Sequence, residues 1–242
     1  MTSPSALLPY AQAPITLRLS VIIPCFNERA TVDELIDRVH AVPIDKQVIV
    51  VDDCSTDGSR DLLCGRARDK GDITLVLRDR NGGKGAAVQA GLTKASGDVV
   101  IIQDADLEYD PADYPLVLRP IQTGKSKVVY GSRFIGEHRA MYFWHSVGNK
   151  TLTLLCNVLF DTTLTDMETC YKAFTIDIAK RLRLREPGWG FDPEITARIL
   201  RMGQRIYEVP ISYAGREFNE GKKISWHDGF VVLLTLLRYR FF

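Results

Sequence analysis

The chain of 242 residues is long enough for one large α/β domain or two small ones. Its 31 basic and 30 acidic side chains almost cancel, so it lacks the basic footprint of a nucleic-acid-binding protein and we expect no nucleic-acid partner. The five cysteines lack metal-site spacing, and no apolar run reaches the roughly 20 residues that span a bilayer, so we expect a cytoplasmic protein without transmembrane segments.

Residues 1–16 contain three prolines, without a basic start or a long apolar core, so we expect a loose arm rather than a secretory signal. Strands and helices then alternate along the chain. The predicted strands are Leu17–Pro24, Val48–Val51, Ile73–Leu77, Val99–Ile102 and Val128–Tyr130, and the helices between them are Thr31–Val42, which opens with a capping box, Thr56–Lys70 and Ala86–Ala95. This alternation predicts a parallel sheet within a three-layer arrangement, with the carboxyl ends of its strands along one edge.

Two carboxylates, Asp104 and Asp106, follow the apolar run Val99–Ile102. Because burying a carboxylate inside a strand costs a large desolvation energy, the pair should lie at the carboxyl end of that strand. Open α/β sheets bind ligands at that edge, and two oxygen ligands there suit Mg²⁺ or Mn²⁺ shared with substrate phosphates. The alternative is an acidic turn ahead of a helix that opens at Asp110.

Other predicted strand ends and turns carry polar side chains that a ligand could use. We expect Asp53 to accept a hydrogen bond from a base or a ribose hydroxyl, since Asp57 is better placed to cap the following helix. Asn27 and Glu28 precede a helix that has its own capping box, which leaves them available for a ligand. Lys84 lies in a glycine-rich turn at a helix start, where a phosphate ligand and a solvated surface lysine are both open interpretations.

These segments, taken in order, resemble the family-2 glycosyltransferases of the GT-A fold, and among them the dolichyl- and polyprenyl-phosphate sugar synthases. The matching segments are residues 21–28, 50–59, 83–87, 103–108, 131–134, 166–172 and 208–211, followed by Arg216 and Lys222. The resemblance covers about residues 17–225 and implies a three-layer α/β/α domain with a mostly parallel central sheet. Residues 226–242 would follow it as a C-terminal amphipathic helix.

The resemblance also implies roles for the matching positions. Pro24, Phe26 and Glu28 would frame the nucleotide, and Val51 and Asp53 would read its base and ribose. The metal on the diphosphate would be held by Asp104 and Asp106, with Ala105 packed between them and Glu108 as a further ligand. Positive charge for the donor diphosphate and the acceptor phosphate would come from Arg133, Arg216 and Lys222. Asn27 and Lys84 complete the expected substrate-binding residues.

The implied reaction is inverting transfer of a hexose from a nucleoside-diphosphate sugar, of the GDP-mannose or UDP-glucose type, to a polyprenyl or dolichyl phosphate. A phosphate acceptor is already ionised near neutral pH, so this reaction needs no strong general base. Two alternatives remain open. One is a family-2 transferase that acts on a soluble saccharide or a protein-linked acceptor, and the other is a non-catalytic nucleotide-binding relative.

Transfer to a hydroxyl group would require a carboxylate to take the proton. The candidates for such a base are Asp166, Glu168, Asp192 and Glu194. Asp192 precedes a proline, which is typical of a helix N-cap, whereas no helix pattern includes Asp166, and we therefore expect Asp166 to be the active-site carboxylate. Lys172 stands where the synthases carry arginine, and lysine cannot make the bidentate phosphate contact of arginine.

Two apolar regions suggest how a lipid acceptor is reached, although core packing would also explain them. Residues 141–145 and 152–160 predict a pair of helices. The predicted C-terminal helix has an apolar face that is followed by basic residues. We expect this face to contact an anionic membrane surface rather than complete the core, with the basic side chains toward the lipid headgroups. The residues concerned are Phe230, Leu233, Leu234, Leu237, Arg238 and Arg240. The protein would be peripheral at the membrane, with a separate membrane protein as a further partner, and removing residues 238–242 should leave donor binding nearly unchanged.

Overall fold

The computed structural model describes residues 16–136, 138–188, 190–215 and 226–242. Its seven strands are β1 (Leu19–Cys25), β2 (Lys46–Asp52), β3 (Thr74–Leu77), β4 (Val99–Ile102), β5 (Val128–Ser132), β6 (Lys172–Thr175) and β7 (Tyr207–Pro210). The helices are α1 (Val32–Ala41), α2 (Ser59–Asp69), α3 (Lys84–Leu92), α4 (Tyr114–Gln122), α5 (Phe143–Phe160), α6 (Ile176–Arg181), α7 (Phe191–Arg201) and α8 (Trp226–Phe241). A single 3₁₀ turn, Pro111–Asp113, leads into α4.

The sheet is mostly parallel, as predicted, with one reversed strand. The strand order is β3-β2-β1-β4-β6-β5-β7. β1 pairs in parallel with both β2 and β4, so the carboxyl ends of these three strands share one edge. β6, which the apolar pattern did not indicate, runs antiparallel to both of its neighbours, β4 and β5.

The main core explains why the apolar runs form the centre of the sheet. Every residue of β4 is buried, and β2 is buried from Val48 onward, as expected for strands covered on both faces. α3 lies close against this sheet because it carries glycine at position 91, where a Cβ atom would lie 2.5 Å from a methyl carbon of Ile22. The helix start that carries Lys84 is therefore held firmly next to the edge of β1 and β2.

A second, smaller core lies between α5, α7 and α8. Cys156, Met167, Val232 and Leu236 form its buried centre. The expected pair of helices before residue 160 is a single helix, α5. The expectation that the C-terminal segment does not complete the core is wrong for one face of α8, whereas the other face exposes Val231, Leu234 and Phe241 among other apolar side chains. Across the ranges described above, no helix is both long and apolar enough to cross a membrane.

Two predicted helix caps are used differently in the structure. The Thr31 side chain makes no capping bond to α1 but donates to the carbonyl of Ala105 at 2.8 Å, which ties the start of α1 to the turn after β4. Asp192 lies inside the first turn of α7 rather than at its N-cap, and its carboxylate pairs with Lys172 at 2.5 Å. In both cases a contact with a residue distant in sequence replaces the local one.

Candidate active site

A cleft of about 290 Å³ opens where the carboxyl ends of β1, β2 and β4 meet. Its lining includes eight residues expected to bind a ligand: Pro24, Phe26, Glu28, Asp53, Lys84, Asp104, Ala105 and Asp106. The lining residues that the sequence did not single out are Cys25, Asn81, Gly83, Ala87 and Gly188. The strand-end rule could have indicated Cys25, and the glycine-rich turn contains Asn81 and Gly83, but Gly188 comes from a distant segment without any local signal.

Lys84 is paired with one carboxylate of the expected metal site. Its Nζ atom lies 2.9 Å and 3.1 Å from the two carboxylate oxygens of Asp104, and 3.9 Å from Asp192 on α7. Burial alone would lower the pKa of Lys84, but the charge of Asp104 raises this pKa well above its usual value. The ammonium group is therefore a fixed positive charge within the cleft rather than a solvated surface lysine.

The turn after β4 carries the carboxylates that were expected to hold a divalent cation. Asp104 and Asp106 both line the cleft, and Leu107 turns the chain behind them with a left-handed φ of 63°. Glu108 is not part of the lining, and its Oε2 atom accepts a hydrogen bond from the Tyr213 hydroxyl at 2.8 Å. Within the described ranges, no three Asp, Glu, His or Cys side chains converge on one point.

Two carboxylates, one of them already facing a cation, suit a metal that completes its shell with water and ligand phosphates, as Mg²⁺ commonly does. The side chains of the turn therefore fit Mg²⁺ or Mn²⁺ through Asp104 and Asp106. The structure does not bring the expected third ligand, Glu108, to this pair.

Asp53 shapes the turn that carries Lys84. Its carboxylate accepts hydrogen bonds from the amides of Gly82, at 3.0 Å, and Gly83, at 2.7 Å, and also pairs with Arg78. It does not cap α2, whose N-cap is Gly58; Asp57, the residue before that N-cap, accepts from the Ser59 amide. Asp53 thus lines the cleft while fixing the glycine turn at its border.

Three expected substrate-binding residues within the described ranges, Asn27, Val51 and Arg133, do not line the cleft. Asn27 has a φ of 56°, and its side-chain oxygen accepts from the Thr56 amide at 2.8 Å, joining the loops after β1 and β2. Val51 is fully buried with its side chain toward Gly91 of α3. Val51 therefore packs against α3 and does not line the cleft.

Arg133 and Asp166 form a buried ion pair. The Arg133 side chain donates to both carboxylate oxygens, at 2.7 Å and 2.8 Å, and its backbone amide adds a third bond at 3.0 Å. Burial alone would lower the pKa of Arg133, but Asp166 raises this pKa well above its usual value. Asp166, which we expected to be the active-site carboxylate, is thus the counter-ion of Arg133 and does not line the cleft.

The remaining candidate bases also take part in ion pairs or hydrogen bonds, with one exception. Asp192 faces Lys172 and Lys84, and Glu194 accepts from the backbone amides of Arg185 and Glu186. The exception is Glu168, whose buried Oε1 atom has no hydrogen-bond partner among the described residues. Burial, and then the charge of Asp192, raise the pKa of Glu168 to about 8, so this carboxyl group is mostly protonated at neutral pH.

The two basic residues expected to act on phosphate, Arg216 and Lys222, lie outside the described residues, as does nearly all of the expected N-terminal arm. Their expected roles stay predictions.

Comparison with known sequences gives a consistent set of relatives. The family model described as Glycosyl transferase family 2 matches residues 20–183. An undecaprenyl-phosphate mannosyltransferase of Micrococcus luteus is 29% identical over 218 residues, which cover 85% of this chain and 87% of that protein. A dolichyl-phosphate beta-glucosyltransferase of Trichomonas vaginalis is 27% identical, covering 83% and 67%. A low-salt glycan biosynthesis hexosyltransferase of Haloferax volcanii is 30% identical, and this chain spans about half (54%) of its length.

Solved structures share the fold at lower sequence identity. Glucosyl-3-phosphoglycerate synthase from Mycobacterium tuberculosis, in complex with Mn²⁺, uridine diphosphate and phosphoglyceric acid, has a TM-score of 0.73 and 23% identity, covering 93% of this chain and 79% of that one. The same enzyme in complex with Mg²⁺ and uridine diphosphate has a TM-score of 0.71.

Proposed function

The chain belongs to glycosyl transferase family 2 and is a glycosyltransferase with a GT-A-like fold, and from that premise we propose that it transfers a hexose from a nucleoside-diphosphate sugar to a polyprenyl or dolichyl phosphate, with inversion. The observation that carries the proposal is the cleft in which Asp104, Asp106 and Lys84 meet at the strand ends. The named activities of the Micrococcus and Trichomonas relatives support a polyprenyl-phosphate acceptor.

We propose that the two parts of a donor occupy different ends of the cleft. The nucleoside would lie along Pro24, Phe26 and Asp53, at the ends of β1 and β2. The diphosphate would then reach Lys84 and the first amides of α3, where a helix N-terminus favours an anion. In this placement, the negatively charged carboxylate pair and the positively charged ammonium group both lie beside the bond between the sugar and the diphosphate, which breaks during transfer.

We propose that Asp104 and Asp106 hold Mg²⁺ or Mn²⁺ on that diphosphate. When bound, such an ion stabilises the negative charge that develops on the leaving group. Lys84 would shift its ammonium group from Asp104 toward the phosphate oxygens, and Arg133, Arg216 and Lys222 would supply further positive charge to the two phosphates.

The state of the carboxylates favours a phosphate acceptor over a hydroxyl acceptor. Asp166, Asp192 and Glu194 are each neutralised by a basic side chain, and the raised pKa of Glu168 keeps it mostly protonated at neutral pH. None of these four carboxyl groups lines the cleft, and an acceptor that is already ionised needs no general base.

We further propose that the exposed apolar sides of α5 and α8 rest on the cytoplasmic surface of a membrane, which would bring the protein to its lipid substrate. Trp144 and Val158 of α5 are 78% and 74% exposed, and Leu234 of α8 is 64% exposed. Arg238 and Arg240 lie at the end of α8, where they could meet anionic headgroups. A separate membrane protein could share this surface.

The proposal is tested by offering the protein both kinds of acceptor. Labelled nucleotide sugars, with Mn²⁺ or Mg²⁺, are incubated with polyprenyl phosphate in detergent and, separately, with soluble saccharides. We expect label in the lipid extract, and none in the extract from Asp106→Asn. Label in the soluble saccharide alone would replace the lipid acceptor with a soluble one. Nucleotide binding without transfer to any acceptor would indicate a non-catalytic relative.

A further inference from the structure

One segment, residues 185–188, lies between α8 and the cleft, and its backbone packs against the start of α3. The Ala86 amide, which has no partner within its own helix turn, donates to the carbonyl of Pro187 at 3.2 Å. A Cβ atom at position 85 would overlap the carbonyl of Glu186, so glycine is needed there for the close approach. Gly188 then forms part of the cleft wall. The position of this segment therefore affects both that wall and the turn that carries Lys84.

The segment is fixed from α7 by a buried carboxylate. Glu194 accepts from the Arg185 amide at 2.8 Å and from the Glu186 amide at 2.7 Å, and pairs with Arg198 at 2.7 Å. Glu194 thus holds the backbone of the segment, whereas the side chain of Glu186 points elsewhere.

The Glu186 side chain is held by the end of α8. Its Oε1 atom accepts from the Arg238 side chain at 3.0 Å and from the Tyr239 hydroxyl at 3.3 Å. Tyr239 is itself buried, and its carbonyl accepts from Arg201 at 2.8 Å. Burial and then the neighbouring Glu194 raise the pKa of Tyr239 to about 12, so its hydroxyl stays protonated and can donate.

We infer that the C-terminal end of α8 positions the wall of the donor cleft, with Arg238, Tyr239 and Glu186 as positioning residues. The role in donor binding rests on the proposed function of the cleft. Arg238 of α8 contacts Glu186, and the carbonyl of the next residue, Pro187, accepts from the Ala86 amide. These two contacts connect α8 to the turn that carries Lys84. The inference predicts that removing residues 238–242 weakens donor binding, whereas the sequence alone led us to expect almost no change.

The test compares Arg238→Ala, the double variant Arg238→Ala/Tyr239→Phe and Glu186→Gln with the wild type. Arg240→Ala is the matched control, because it lies on the same helix turn and faces the Phe160 ring instead of Glu186. Amide hydrogen exchange is measured over residues 83–92, and the affinity for a nucleoside diphosphate is measured with Mn²⁺. We expect faster exchange at Ala86 and about 5- to 10-fold weaker nucleotide binding in the double variant, the scale of one exposed ion pair plus one hydrogen bond.

Arg238→Lys, which keeps the positive charge, should restore both readouts toward the wild-type values, whereas Arg238→Met, which keeps an unbranched apolar side chain without the charge, should not. Unchanged exchange at Ala86, or nucleotide affinity equal to that of the wild type, would overturn the inference. Arg238 is 60% exposed, so the single variant folds even if the double variant does not and keeps the test decisive. If the wild type binds no nucleoside diphosphate, the proposed function fails, while the exchange measurement still decides whether α8 braces the cleft.

Discussion

In the proposed mechanism, Lys84 and a divalent metal compete for the same carboxylate. The ammonium group of Lys84 neutralises Asp104, and it also lies 3.9 Å from Asp192. A metal that binds Asp104 must therefore displace this ammonium group, and the phosphates of the donor offer it a new partner. Metal and nucleotide should accordingly bind better together than the metal binds alone.

Replacing Lys84 with methionine tests this competition. Lys84→Met should bind Mn²⁺ alone about tenfold more tightly, because Asp104 loses its internal cation, whereas the nucleoside diphosphate should bind more weakly. Both affinities can be measured by titration calorimetry. Lys127→Met, which removes a surface lysine paired with Asp177, is the control and should change neither. Weaker binding of Mn²⁺ alone would show that Lys84 does not compete for Asp104.

The carboxylate pair should matter for turnover but hardly for stability. Asp106 lies on a turn outside the core, so Asp106→Asn should melt within a degree or two of the wild type. Sugar transfer should fall by about 100-fold or more, because the leaving diphosphate would lose its counter-ion. Initial rates and thermal melts of the same preparations check this. Full transfer by the variant, or by the wild type in excess chelator, would remove the metal from the mechanism.

Glu168 should give the protein a pH-dependent loss of stability. Its pKa is raised from 4.5 to about 8 in the folded protein, so between these values the folded state holds more protons than the unfolded state. The stability that this proton provides is complete below pH 4.5 and is lost as the pH rises through 8. Glu168→Gln cannot lose it, so the variant should gain in melting temperature relative to the wild type toward pH 8.

Melting curves at a series of pH values measure that difference directly. Glu34→Gln, on the exposed side of α1, is the control and should keep a constant offset from the wild type. A Glu168→Gln offset that is also independent of pH would show that the carboxyl group is charged at neutral pH.

Helix α8 has a buried and an exposed face, and substitutions on the two faces should affect stability and membrane binding differently. Val232 and Leu236 lie in the second core, whereas Leu234 points outward, as does Trp144 on α5. The double variant Trp144→Glu/Leu234→Glu should sediment several-fold less with anionic vesicles and keep its melting temperature, since both side chains are exposed. Val232→Ala should do the opposite, with a loss of about 1–3 kcal/mol of stability from the core. Equal sedimentation of the charged variant and the wild type would contradict membrane contact through this face.

In the molecule as a whole, much of the cleft could be predicted from short stretches of sequence, because buried strands and the polar residues directly after them are local features. Apolar runs such as Val99–Ile102 form buried strands, and the polar residues directly after them gather at one edge. This is why Asp53, Asp104 and Asp106 were expected in one place and line one cleft.

Other parts of the site could not be predicted because they depend on partners that are distant in sequence. Nothing near Asp166 indicates that it pairs with Arg133, and nothing near Asp192 indicates that it faces Lys172 rather than its own helix. β6 was missed for a similar reason, since Lys172 starts a strand of only four residues whose reversed direction is set by its neighbours. The contact of α8 with the cleft wall likewise depends on the side chain of Glu186, and no local sequence pattern around Glu186 indicates that contact.

The central claim is that the turn after β4 holds the metal of a nucleotide-sugar donor. Anomalous diffraction from crystals grown with Mn²⁺ and a nucleoside diphosphate tests it most directly. We expect one manganese peak at about 2.0–2.6 Å from an oxygen of both Asp104 and Asp106, bridging to the diphosphate, with the Lys84 ammonium group moved onto a phosphate oxygen. A manganese peak away from this pair, or a nucleotide bound outside the cleft, would contradict metal binding by the turn after β4.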